Sequence, residues 1–120
     1  MDARLRGIFP PIPTIFTSSG EVDTQRMVSN LKRWMATPLS GVLALGSNGE
    51  ATSLDESESD RVLAAVRDEV PRAKLLIAGT GRESTRATID ACRRAGSLGA
   101  DMALVRPPSY FKTQMTNDAL

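Results

Sequence analysis

Three short segments carry residue types that could do chemistry. Gly46-Ser47-Asn48-Gly49-Glu50 sets a hydroxyl and an amide between two glycines. The glycines let the backbone turn tightly and approach a ligand. The side chains and backbone N–H groups could form a small nest for an anion, with a carboxylate as the natural guest. The same pattern also suits an ordinary strand-to-helix turn in which Ser47 and Asn48 only cap backbone groups. Tyr110 follows the Pro107-Pro108 pair. Its hydroxyl could shuttle a proton if it met another hydroxyl, such as that of Ser47; the plain alternative is a packing aromatic. Gly79-Thr80-Gly81 is half of a dinucleotide fingerprint, but Ser84 stands where the third glycine belongs. No phosphate-binding lysine follows, so neither that fingerprint nor a P-loop is satisfied. The segment reads as a tight turn with Ser84 as a helix N-cap.

The missing residue types narrow the chemistry further. The 120 residues include no histidine and one cysteine, Cys92. Histidine-based acid–base catalysis and Ser-His-Asp triads are therefore excluded within this chain. A structural zinc site lacks ligands. A lone cysteine forms no internal disulfide, which fits a reducing compartment. Carboxylates, lysines, tyrosine and backbone groups remain. Lys32 falls in a helical segment, Lys74 at the start of a strand and Lys112 in a loop. None sits in a strand interior, where burial turns a lysine into a nucleophile. The net charge is +1 and the basic residues are scattered, with Arg93-Arg94 the densest pair in the middle of the chain. Neither nucleic acid nor an anionic membrane is called for as a partner. No apolar run approaches the roughly 20 residues of a membrane span. The first residues lack the apolar stretch of a secretory signal.

The elements that must position these segments alternate. Ile8 to Phe16 is apolar but holds three prolines, which suits an irregular or edge-like first strand. Gly41–Gly46, Lys74–Gly79 and Asp101–Val105 are short apolar runs of the kind covered by helices on both faces. Between them lie helical faces: Met27, Val28, Leu31, Trp34 and Met35; then Val62, Leu63, Val66 and Val70; then Thr88, Ala91, Cys92, Ala95 and Leu98. Ser53 and Glu56 have capping-box spacing before the second. Pro71 ends the second helix, and Gly99 suits the position after the third. Strand starts recur about every 30 residues, the size of one βα unit. The chain is therefore α/β, and an open doubly wound sheet and a (β/α)8 barrel both fit. In either, ligands bind at the carboxyl ends of the strands, where the three segments lie.

At those loops the sequence resembles the dihydrodipicolinate synthase and N-acetylneuraminate lyase family. Gly46-Ser47-Asn48-Gly49-Glu50 is similar to the family's glycine-hydroxyl-X-Gly-Glu motif after strand two. Ala78-Gly79-Thr80-Gly81 with Ser84-Thr85, and Gly99-Ala100-Asp101 with Pro107 to Phe111, are similar to its strand-three and strand-four segments. The likeness runs from Gly7 to about Leu120. Ser47-Asn48 and the Pro-Pro-Ser-Tyr run look like the 4-hydroxy-2-oxoglutarate aldolase branch.

The resemblance implies a (β/α)8 TIM barrel of which residues 1–120 are the N-terminal half, with four strands and three helices. Such members form or cleave carbon–carbon bonds of pyruvate-type 2-oxo acids through a lysine Schiff base. They use no metal or organic cofactor and usually assemble as homo-tetramers. By resemblance, Asn48 and neighbouring N–H groups, within the frame of Gly46 and Gly49, hold the substrate carboxylate. Ser47 links two tyrosines in a proton relay. Tyr110 matches one of them and acts across a subunit interface. The other tyrosine and the lysine belong to later strands. The chain alone is thus expected to be inactive: a truncated aldolase, or a non-catalytic half-subunit that pairs with an intact barrel. A cytoplasmic location is expected, with a mitochondrial one as the alternative.

Overall fold

A computed structural model describes residues 3–118. Three parallel strands, β1 (Gly41–Ala44), β2 (Leu75–Gly79) and β3 (Met102–Leu104), lie side by side in chain order. The helices α1 (Thr24–Met35), α2 (Glu56–Glu69) and α3 (Thr85–Ser97) alternate with them. The register sets Val42 beside Leu76, and Leu43 beside Ile77 beside Met102. The core lies between sheet and helices: Val42, Ala44, Leu76 and Ala78 meet Leu31, Val62, Val66 and Ala95, all at most 2% exposed. On the opposite face Leu43, Ile77 and Met102 are only half-buried. Side-chain alternation along a strand places them there.

The expected first strand is reduced to a single parallel bridge, Pro11 to Leu43. The Ile12 N–H donates to the Leu43 carbonyl at 2.9 Å, and the Leu43 N–H to the Pro10 carbonyl at 3.0 Å. Pro10, Pro11 and Pro13 have no N–H to donate, so a regular ladder cannot extend. Three strands, not four, are regular here.

The helix faces lie where their periodicity puts them. Val62, Leu63, Val66 and Val70 are all buried. Helix α3 starts at Ser84, whose hydroxyl accepts from the Ala87 N–H at 3.3 Å. It ends at Gly99, with φ of +89°. There the Ala100 N–H reaches the Ala95 carbonyl and the Gly99 N–H reaches the Gly96 carbonyl, both at 3.0 Å. This is the Schellman arrangement, for which glycine is the usual residue. The start of α2 differs from the sequence expectation. Its capping box is Asp55 with Glu58, not Ser53 with Glu56. Ser53 is held in a 3-10 turn, Ala51–Ser53. That shift frees Glu56 for other partners.

The amino end of the sheet is tied by buried charge. Arg67 of α2 is 7% exposed. Its guanidinium donates to the Val70 and Gly99 carbonyls and to the Asp101 carboxylate, the last at 2.9 Å. The same carboxylate oxygen accepts the Leu76 N–H at 2.8 Å, which joins α2, β2 and the entrance to β3. Lys74 donates to the Met35 and Thr37 carbonyls and closes the end of α1. No helix among the described residues is long and apolar enough to cross a membrane.

Candidate functional site

The chain leaves β1 through an unusual stretch of backbone. Leu45 has φ of +57° and Glu50 has φ of +52°. They are the two non-glycine residues with positive φ among the described residues. Each costs about 1 kcal/mol or more in a left-handed conformation. Such strain collects at functional sites. Between them Ser47–Gly49 forms one 3-10 turn, and Ala51–Ser53 a second. The Gly49 and Glu50 N–H groups close the first turn onto the Gly46 and Ser47 carbonyls. The Ser47 and Asn48 N–H groups donate no hydrogen bond among the described residues.

Two contacts hold this turn from below. The buried Thr14 hydroxyl donates to the Gly49 carbonyl at 2.7 Å. Gly79, at the end of β2, lies against Leu45: a Cβ there would stand 2.0 Å from the Leu45 carbonyl oxygen. Gly79 is therefore required for the close approach of β2 to the turn.

A cleft of about 540 Å³ opens over the carboxyl ends of the three strands. Leu45, Gly46 and Ser47 line it from β1, Gly79 and Gly81 from β2, and Leu104 and Arg106 from β3. Glu56, Arg82 and Glu83 add charge. Arg82 grips Glu56 with two parallel bonds, Nε to Oε1 at 3.0 Å and Nη2 to Oε2 at 3.1 Å. Arg94 of α3 also reaches Glu56, and its Nε meets Asp60 at 3.3 Å. The Arg82 hydrogen bond, then the charges of both arginines, hold the Glu56 carboxyl below its ordinary value. Glu83 is likewise lowered, first by the Ser109 N–H and then by the Tyr110 N–H.

The sequence-selected residues divide. Gly46 and Ser47 line the cleft. Asn48 is exposed beside it, and Gly49 is buried beneath it. Tyr110 stands apart: it is 80% exposed and packs edge-on against Phe111, 4.9 Å between centroids. No hydrogen bond joins Tyr110 to Ser47 among the described residues. Gly79-Thr80-Gly81 is a tight turn, with Thr80 buried and bonded to the Leu104 carbonyl and to Cys92. Lys74 points into the amino end of the sheet, and Lys32 is exposed on α1. Arg94, of the densest basic pair, bridges α3 to α2 through Glu56 and Asp60. Sequence reasoning missed Thr14, Glu83 and the Glu56–Arg82–Arg94 cluster. Their partners lie 23 to 38 residues away or more, and no local spacing signals them.

Known proteins place this arrangement. Residues 4–118 match the dihydrodipicolinate synthetase family. The chain belongs to the dihydrodipicolinate synthetase family. It is 35% identical over 118 residues to the probable mitochondrial 4-hydroxy-2-oxoglutarate aldolase of Emericella nidulans, covering 95% of this chain and 38% of that protein. It is 36% identical over 107 residues to a 4-hydroxy-tetrahydrodipicolinate synthase of Methanothrix thermoacetophila, covering 88% of this chain and 35% of that one. The crystal structure of YagE from Escherichia coli K12 in complex with pyruvate superimposes with a TM-score of 0.85 and 32% identity. That match covers 90% of this chain and 36% of YagE. The chain thus spans little more than a third of the length of these family members. Its three strands and three helices are a partial α/β barrel of the family's type.

Proposed function

We propose that this chain is the carboxylate-recognising part of a Schiff-base lyase acting on pyruvate-type 2-oxo acids. One observation carries the reading: the Gly46–Gly49 turn, flanked by the strained Leu45 and Glu50 and with Ser47 and Asn48 N–H groups that donate no hydrogen bond among the described residues, lies beside a cleft at the carboxyl ends of the strands. Asn48 and those N–H groups hold the carboxylate, while Gly46 and Gly49 let the backbone reach it. Ser47 passes a proton to and from Tyr110. The exposure of Tyr110 suits a residue that serves the site of a neighbouring copy, so a homo-oligomer is part of the proposal.

A lysine amine attacks the 2-oxo carbonyl and water leaves, which gives an imine that stabilises the carbanion at the neighbouring carbon. Lys32 and Lys74 lie away from the cleft, and the family resemblance assigns the nucleophile to a later strand. The chemistry draws on no metal or organic cofactor. The lone Cys92 favours a reducing compartment, the cytoplasm or the mitochondrion.

The test is a pyruvate titration followed by amide NMR. Shifts are expected at Ser47 and Asn48, and Asn48→Ala removes them. A titration that leaves both amides unmoved overturns the reading. Borohydride with pyruvate is expected to leave this chain unmodified; an adduct on Lys32, Lys74 or Lys112 would overturn the assignment of the nucleophile.

A second reading, a non-catalytic half that pairs with an intact barrel, is favoured by the apolar surface around β3. Leu104 is 49% and Val105 53% exposed. Such a surface calls for cover. A stable, cooperatively melting monomer would argue against this reading and against the homo-oligomer of the first alike, whereas a complex formed only on adding an intact family member would favour the second.

A further inference from the structure

The loop that carries Tyr110 is gripped by one carboxylate. Glu83 Oε2 accepts the Ser109 N–H at 2.9 Å and the Tyr110 N–H at 3.1 Å. Its Oε1 accepts the Ser109 hydroxyl at 3.1 Å and Arg106 Nη1 at 3.4 Å. Arg106 Nη1 also reaches the Ser109 hydroxyl at 3.1 Å, which closes a small network. The backbone explains why the grip falls here. Pro107 and Pro108 have no N–H, so Ser109 and Tyr110 offer the first backbone donors after Arg106. Both go to Glu83. Among the described residues, Glu83 is the one group outside the loop that bonds either of them. The Tyr110 ring itself has little to hold it, since it is 80% exposed. Its direction is set through its backbone.

We infer that Glu83 is the positioning residue for Tyr110, which it fixes by accepting the two successive N–H groups at the Tyr110 peptide. The inference rests on the proposed role of Tyr110 in proton transfer, and it names the group that aims that hydroxyl. The ionised carboxylate suits this network best: Oε2 accepts both N–H groups while Oε1 accepts the Ser109 hydroxyl and Arg106, and an amide would turn its own donors toward Arg106. The charged groups facing it are Arg106 from the loop after β3 and Arg82 beside it, whose guanidinium is held by Glu56. Arg106, together with the Ser109 and Tyr110 N–H groups, favours its ionised form.

Amide NMR on the full chain tests this. The Ser109 and Tyr110 amide resonances should follow one ionisation below the ordinary carboxylate range, and the ring signals of the single tyrosine should follow the same curve. Glu83→Gln, which keeps the size of the side chain, should abolish that dependence. It should also speed exchange at both amides by on the order of tenfold. Signals of β2 and α3 report whether the variant is folded; if it is not, the titration of the unmodified chain decides. Amides that ignore the ionisation, or a tyrosine ring that does not track them, overturn the inference. Pyruvate-induced shifts at Ser47 and Asn48 judge the functional reading separately, since they do not depend on Glu83.

Discussion

The two ends of one small sheet are built in opposite ways. At the amino end, charges are bonded mainly to backbone: the buried Arg67 spans four carbonyl or carboxylate partners, and the half-buried Lys74 closes α1. At the carboxyl end, charges stand in solvent and pair with one another, and the backbone is strained at Leu45 and Glu50. The same three strands feed both. One end holds the layers together; the other presents groups that are left free to act. In α/β barrels the amino face is generally the one that serves stability, and the carboxyl face carries the chemistry.

The contrast is broken most severely at the amino end. Arg67→Ala removes the partner that the Asp101 carboxylate and three carbonyls, of Val70, Pro71 and Gly99, share. A loss of about 3 kcal/mol is expected in urea denaturation, because carbonyls that Arg67 caps lose their donor and its buried stem leaves a void. A loss below about 1 kcal/mol would remove Arg67 from its role as tie. Gly79→Ala tests the junction between the two ends. Its Cβ would collide with the Leu45 carbonyl, so we expect a loss of about 2 kcal/mol with loss of the pyruvate response. Unchanged amide signals at Leu45 and Gly46 would refute that contact.

Thr14→Val keeps the shape and removes the hydroxyl that holds the Gly49 carbonyl. The expected cost is about 1 kcal/mol, with faster amide exchange in the turn. Should exchange stay the same, the turn is held by its own hydrogen bonds, from Gly49 to Gly46 and from Glu50 to Ser47. The smallest effect is the acid response of Glu56. Its carboxyl is lowered when folded, so its contribution is present above the ordinary carboxylate value of 4.5 and is lost as pH falls through the folded value. Glu56→Gln should flatten the stability profile in that acid range and change little near neutrality, as expected of a half-exposed ion pair. A profile identical to that of the unmodified chain would show that the cluster contributes nothing measurable.

Much of this molecule was legible from residue order. Helical faces such as Val62, Leu63, Val66 and Val70 follow from a local period, and Ser84 and Gly99 from local backbone needs. The glycine-flanked Ser47-Asn48 pair stood out for the same reason. The capping box was displaced by two residues because two acidic residues, Glu56 and Glu58, compete for the role, and only one was free of other partners.

Sequence alone therefore determined the α/β alternation, the family and the segments at which chemistry is sought, because periodicity, caps and turns are read within a few residues. Only the tertiary structure decided that the first strand shrinks to one bridge. It also showed that Gly79 presses on Leu45, and that Glu83 grips the two amides before the Tyr110 side chain. The physical reason is range. Backbone donors and carboxylates find partners across 20 to 40 residues of chain only after parallel strands have brought their ends together, and no local spacing encodes that meeting.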